Sequence, residues 1–266
     1  MSVAETRSPD FYDETQIEKV AFDHGWRGGQ DREGDWFTFR STTAPGTVWM
    51  AALAGEGRRY ALRAPTPGVA EAMAGEGLST VVVEGAPAFL ANRIDTLYTL
   101  ASRAYRLAMA LPDTPFALYR ADLEAEGVSA DGLGATDAER VVKQRIGQAR
   151  FRAALLEFWD GRCPLTGIDD PALLRASHIV PWAECETDAQ RLDVHNGLLL
   201  SALWDAAFDA HLVGFDATGR AVASPRLGAA GVETLKLAEK PVLQGLRPDH
   251  APALTAHLLR VKKDTE

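Results

Sequence analysis

An acidic stretch that turns glycine-rich, residues 120–135 with Gly127, Gly132 and Gly134, cuts the sequence into two parts of different pattern. Upstream of it the apolar residues recur mainly with the short period of strands. Downstream the chain opens on a long helical run. Acids and then clustered glycines between periodic segments mark a short helix followed by a linker, and 266 residues suffice for one large domain or two small ones. The expected organisation is therefore a domain over residues 1–135 and a second over 136–266, with the boundary near Ala135. No repeat with a period of 20–50 residues is visible, which excludes solenoids and propellers.

The first part reads as a small α+β unit. Residues 36–39, 47–53 and 59–63 are strand-like, and the last two are joined by Gly55-Glu56-Gly57, a hairpin signal. Residues 67–74 predict a short helix with Pro67 near its start. The β-branched run 78–84 predicts a further strand. Leu90, Ile94, Leu97, Ala101, Ala104 and Ala108 recur at spacings of three and four and predict a helix over 87–110. Residues 1–20 read as a loose tail with 17–22 as the first element, and the glycines around 28–34 read as loop. Trp26, Trp36 and Trp49 fit a strand core.

The second part begins with a helix predicted from an N-cap at Asp137 to about Trp159, before Gly161. It carries Arg140, Lys143, Arg145, Arg150 and Arg152 with no acid between 140 and 152, in a chain whose net charge is −9. Arg145, Gln148 and Arg152 share one face. Such a face either pairs with acids elsewhere or meets phosphate. An acidic chain that touches nucleic acid must do so through a local patch or a metal. The strongly apolar runs, such as 80–83 and 197–200, are short, which predicts no membrane span. The opening MSVAETRSPDFYDE lacks the pattern of a secretory signal. Two cysteines, Cys163 and Cys185, fit neither a four-cysteine zinc site nor a disulfide scaffold. A cytoplasmic location and a core without structural zinc are the expectations.

The chemistry-bearing residues lie within 178–211. His178 ends a strand, and an imidazole there can take a proton from water near neutral pH. Asn196-Gly197 is a turn signal, and an Asn side chain can fix such a loop. Ser201 is placed to cap a helix from Ala202. On that helix Asp205 and Asp209 are four residues apart, hence on one face, and two hard oxygen ligands suit Mg2+ or Mn2+. His195 reads as a loop residue, and His24, His250 and His257 have no motif around them. A hairpin over 212–224 and a C-terminal helix over 248–261 complete the reading.

The segments GRCPLTG (161–167), SHIVPW (177–182), HNGLLL (195–200) and WDAAFD (204–209) resemble, in order and distance, the HNH endonuclease family over about residues 138–225. The resemblance implies a β-hairpin and helix around one divalent metal, and hydrolysis of phosphodiester bonds in double-stranded DNA. By position His178 matches the general base, Asn196 the hairpin-orienting Asn, and Asp205 the metal-binding position usually held by His. Asp209 matches a second ligand of some members. Ser177 stands where an Asp or His ligand is common, and His211 is the expected replacement. Arg140, Lys143, Arg145, Gln148 and Arg152 would contact DNA. The resemblance points to a restriction enzyme acting on foreign or modified DNA, with the N-terminal domain as a DNA reader by analogy. The alternative is a DNA-binding regulator with a degenerate site. A homodimer is left open.

Overall fold

A computed structural model describes residues 2–129 and 136–263. The chain divides into two compact units, residues 1–114 and 115–266. The expected boundary at Ala135, with Gly132 and Gly134, lies outside the described residues. The division falls earlier because the acidic stretch before it is helical and tied to the second unit, as described below.

The first unit contains β1 (Ser2–Ala4), α1 (Phe11–Asp23), β2 (Gly29–Glu33), β3 (Trp36–Arg40), β4 (Thr47–Leu53), β5 (Arg59–Arg63), α2 (Pro67–Gly75), β6 (Thr80–Val83), β7 (Ala86–Ala91) and α3 (Ile94–Ala110). The seven strands form one sheet in the order β1-β6-β7-β5-β4-β3-β2. Every pairing is antiparallel except β1 with β6. Thr6, just past β1, bridges Leu53 at the end of β4, so the sheet rolls back on itself. Small residues make that curvature possible. Ala51, Ala61 and Ala88 pack with Trp36, Leu53, Val81 and Val83 in one buried cluster. Side chains of the opposite parity, Met50, Tyr60, Leu62 and Phe89, are buried on the other face, and α1 and α3 lie against β4, β5 and β7.

Three sequence expectations change here. Residues 86–91 are a strand, and the helix starts only at Ile94. A short apolar run fits either period. The deciding feature is the two-residue turn Glu84-Gly85, whose φ values of 52° and 77° match the hairpin turn with both central residues left-handed. Residues 29–33 form an edge strand whose polar sequence, GQDRE, hides it. The supposed loose tail holds β1 and a helix six residues longer at its start than expected, capped by a reciprocal bond pair between Asp10 and Asp13.

The second unit runs α4 (Asp113–Ala125), α5 (Asp137–Phe158), β8 (Leu174–His178), α6 (Asp188–Leu192), β9 (Gly197–Ser201), α7 (Ala202–Asp209), β10 (Val213–Phe215), β11 (Ala221–Ala223), α8 (Ala229–Thr234) and α9 (Ala251–Lys263). Asp122 of α4 pairs with Arg150 of α5 at 2.5 Å, and the Tyr119 hydroxyl donates to Asp188 at 3.4 Å. The N-cap of α5 is Thr136 rather than Asp137, because Thr136 exchanges bonds with Glu139. Ile146, Phe151, Leu155 and Phe158 of α5 are buried. Each buried side chain of this kind contributes about 1.5–3 kcal/mol. A Cβ at Gly197 would lie 2.5 Å from Phe151 and 2.9 Å from Leu155, so only glycine lets β9 approach α5 this closely. The β10–β11 hairpin turns at the expected Ala217-Thr218-Gly219. Among the described residues, no helix is long and apolar enough to cross a membrane.

Candidate active site

β8 and β9 form a two-stranded antiparallel ribbon in which His178 faces Gly197 and Ser177 faces Leu198. The ribbon rests on α5. The His178 ring stacks on Phe151 with centroids 3.7 Å apart and planes 15° from parallel, and Trp182 meets it edge-on at 5.6 Å. His178 Nε2 lies 2.9 Å from the Arg191 carbonyl oxygen. A carbonyl only accepts, so Nε2 carries the proton and Nδ1 keeps a lone pair. Burial pushes the imidazole pKa below its ordinary value, partly opposed by the bond to that carbonyl. The ring is therefore neutral at pH 7.

Asn196 is 5 % exposed and is fully engaged. Its Oδ1 accepts from the Val180 amide at 2.8 Å. Its Nδ2 donates toward the carbonyls of Val180 and Gln190 and toward Cys185 Sγ. One side chain thus ties the start of the segment after His178 to its end. Arg191 braces the same segment by donating to the carbonyls of Trp182 and Cys185 and by pairing with Asp188. The carbonyl that orients His178 therefore belongs to a residue held at several points. Sequence reasoning missed Arg191, because its contact with His178 uses a backbone atom and leaves no side-chain signature.

Ser177, the residue before His178, donates its hydroxyl to Asp205 Oδ1 at 2.5 Å. Asp205 lies in the first turn of α7, and Ser201 is the helix's N-cap residue without a side-chain capping bond. Asp209 is one turn further along. Its carboxyl pKa is raised, first by loss of solvent around it and second by the Asp205 charge. Two neighbouring carboxylates that repel each other in reduced solvent favour a cation between or beside them. The donor set is hard and suits Mg2+ or Mn2+. His211 does not complete a set of three: among the described residues, no group of three His, Cys, Asp or Glu side chains is arranged to hold a metal.

His211 follows α7 with a φ of 53°. Its amide donates to the Phe208 carbonyl, and that of Leu212 to Ala207, a left-handed helix ending normally filled by glycine. A side chain there costs about 1–2 kcal/mol. His211 Nδ1 lies 3.1 Å from Nε2 of His257 on α9, and that same Nε2 lies 3.1 Å from the Phe208 carbonyl oxygen. His257 is 4 % exposed and stacks on Phe208. Burial lowers its pKa to about 4. No local motif marks His257; it acts from 46 positions away.

The cationic face of α5 is largely engaged inside the unit. Arg140 pairs with Asp137 and Arg145 with Glu126. Arg152 donates to the carbonyls of Leu174 and Pro171, and Lys143 is also partnered. Gln148 is exposed. Arg140 and Arg145 thus pair with acids, whereas Arg152 meets carbonyls. Cys163 and Cys185 are both buried free thiols, and Cys185 belongs to the Asn196 clamp.

No curated protein matches this chain in a sequence comparison. A family model described as HNH endonuclease matches residues 163–216, which include His178, Asn196, Asp205, Asp209 and His211, and so places an HNH domain in the C-terminal half of the chain.

Proposed function

We propose that the C-terminal unit is a nuclease that hydrolyses phosphodiester bonds of double-stranded DNA with one divalent metal ion, Mg2+ or Mn2+. The observation that carries this reading is the bond from His178 Nε2–H to the Arg191 carbonyl. It leaves a neutral ring with its lone pair on Nδ1, the state a general base needs. In the proposed reaction His178 Nδ1 takes a proton from water, the water oxygen attacks phosphorus, and the opposite phosphorus–oxygen bond breaks, its electron pair staying on the leaving oxygen, which takes up a proton from solvent. Asn196 holds the segment that orients the base. Asp205 and Asp209 would hold the metal, with the Ser177 hydroxyl fixing the Asp205 carboxylate. A bound divalent ion supplies charge stabilisation to the phosphate and leaving oxygens. Mg2+ is commonly held by one or two carboxylates, waters and substrate phosphate, so a pair of aspartates is a sufficient protein contribution.

Nicking of supercoiled plasmid across a panel of divalent metals tests the proposal. Wild-type protein should cut with Mg2+ or Mn2+, and His178→Ala should lose about 10²–10⁴ in rate, the usual contribution of a positioned base, while keeping its fold. Cutting by His178→Ala within a few-fold of wild type removes His178 as base. A wild-type protein that binds duplex DNA but cuts it with none of the metals is a binding module with a degenerate site.

A further inference from the structure

Resting on the nuclease reading, we infer that His211 is a substrate-contacting residue that donates an N–H to a DNA phosphate oxygen, and that His257 is the positioning residue that fixes it in that state. The argument is one of proton placement. His257 Nε2 is 3.1 Å from the Phe208 carbonyl oxygen, which can only accept, so Nε2 carries the hydrogen. His211 Nδ1 faces that same N–H at 3.1 Å and must present its lone pair. The proton of a neutral His211 ring is then on Nε2. The opposite arrangement would put the His257 proton on Nδ1, a buried atom with no partner, and set a lone pair against the Phe208 carbonyl. A ring in this state has one nitrogen occupied and the other protonated. It offers a donor and no lone pair to a metal.

The position is right for a phosphate contact. His211 ends the helix that carries Asp205 and Asp209. Glu184 lies in the turn just past Trp182, and Trp182 meets the His178 ring. Glu184 also pairs with Arg260 of α9, one turn from His257. The left-handed backbone at His211, where glycine is the easy choice, is tolerated for a side chain that is used.

Two-bond proton–nitrogen NMR correlations on the full chain, assigned with His211→Gln, read the proton's place directly. His211 is expected with hydrogen on Nε2, and a signal with hydrogen on Nδ1 overturns the inference. In His257→Phe the preference should vanish while the fold persists. Cleavage and Mn2+ affinity supply the second arm. His211→Ala should lose about 10- to 100-fold in cleavage, the worth of a hydrogen bond to a charged group, with Mn2+ affinity unchanged. His211→Gln, which keeps an N–H at a similar reach, should recover most of that loss. A tenfold weakening of Mn2+ binding in His211→Ala, or no rescue by Gln, makes His211 something other than a phosphate donor. If wild-type protein cuts no DNA, the nuclease reading fails, while the tautomer and its dependence on His257 are still read from the spectra.

Discussion

The two units bury ionisable groups in opposite ways. The N-terminal unit keeps a carboxylate inside: Asp13 has no exposed surface and takes Arg7 at 2.6 Å, Arg58 at 2.7 Å and the Tyr60 hydroxyl at 3.1 Å. The cost of removing that charge from water is offset by two cations and a hydroxyl, and the same carboxylate helps push the Tyr60 pKa up to about 12, with burial the larger cause. The C-terminal unit holds five of the chain's six histidines and buries imidazoles with few charged partners. His250 is fully buried against Phe158 and Trp159, and burial lowers its pKa to about 4, as it does for His257. A charged group with partners makes a rigid anchor. A neutral imidazole, an uncharged ring with one nitrogen proton, keeps its lone pair and its N–H in assigned places, which is what acid–base chemistry uses.

Acid should separate the two units most strongly. Unfolded histidines bind protons near pH 6.5, whereas folded His250 and His257 do so near 4. Stability from these two rings is therefore complete above the ordinary imidazole pKa and is lost as pH falls from there toward about 4, at most about 3 kcal/mol for each. Hydrogen exchange resolved by peptide, compared at pH 7 and about pH 4.5, should show the C-terminal unit losing protection first. Equal loss in both units breaks the contrast. Next in size, Asp13→Asn should destabilise the N-terminal unit by about 3 kcal/mol, because two arginines lose their shared anion. The C-terminal unit should exchange as before, and a change there would show that the anchor is not local.

Smaller effects sharpen the picture within the C-terminal unit. Asn196→Ala strands the Val180 amide and should cost about 2 kcal/mol. Cleavage should fall further than that loss of stability explains, a difference visible by assaying well below the melting temperature. Gly147→Ala is the mildest. Its Cβ would fall 2.2 Å from the Trp182 ring, and crowding of about 1–3 kcal/mol is partly offset by about 1 kcal/mol of helix propensity. The expected result is a nearly unchanged melting point with cleavage reduced several-fold, since Trp182 meets His178 edge-on. Unchanged cleavage would mean that Trp182 moves without disturbing the base.

What was legible in the sequence follows from the range of the interactions involved. The strands at 47–53 and 59–63 were readable to the residue, because alternation and a glycine turn agree locally. Residues 86–91 were not, since the run is too short for its period to decide. The polar edge strand at 29–33 gave no apolar signal. In the site, His178, Asn196 and Asp205 lie within 28 positions and could be placed by order and spacing. Their supports could not: the Arg191 contact is a backbone carbonyl, and His257 reaches His211 across 46 positions. The charges on α5 were visible, but their partners Asp122 and Glu126 sit on, and just past the end of, a separate helix, α4.

The rolled sheet of the first unit also sets an order in time. Its hairpins close over a few residues, which is fast, but β1 must find β6 some eighty positions away, and closing so long a loop is entropically slow. The seam between residues 2–4 and 81–83, together with the Thr6–Leu53 bridge, should be the last part of the roll to assemble. It should also be the first to come apart when the native state breathes, which peptide-resolved hydrogen exchange would show. Through that seam the buried alanine-lined interior meets water, so the rate at which it opens sets how often the N-terminal unit exposes its core.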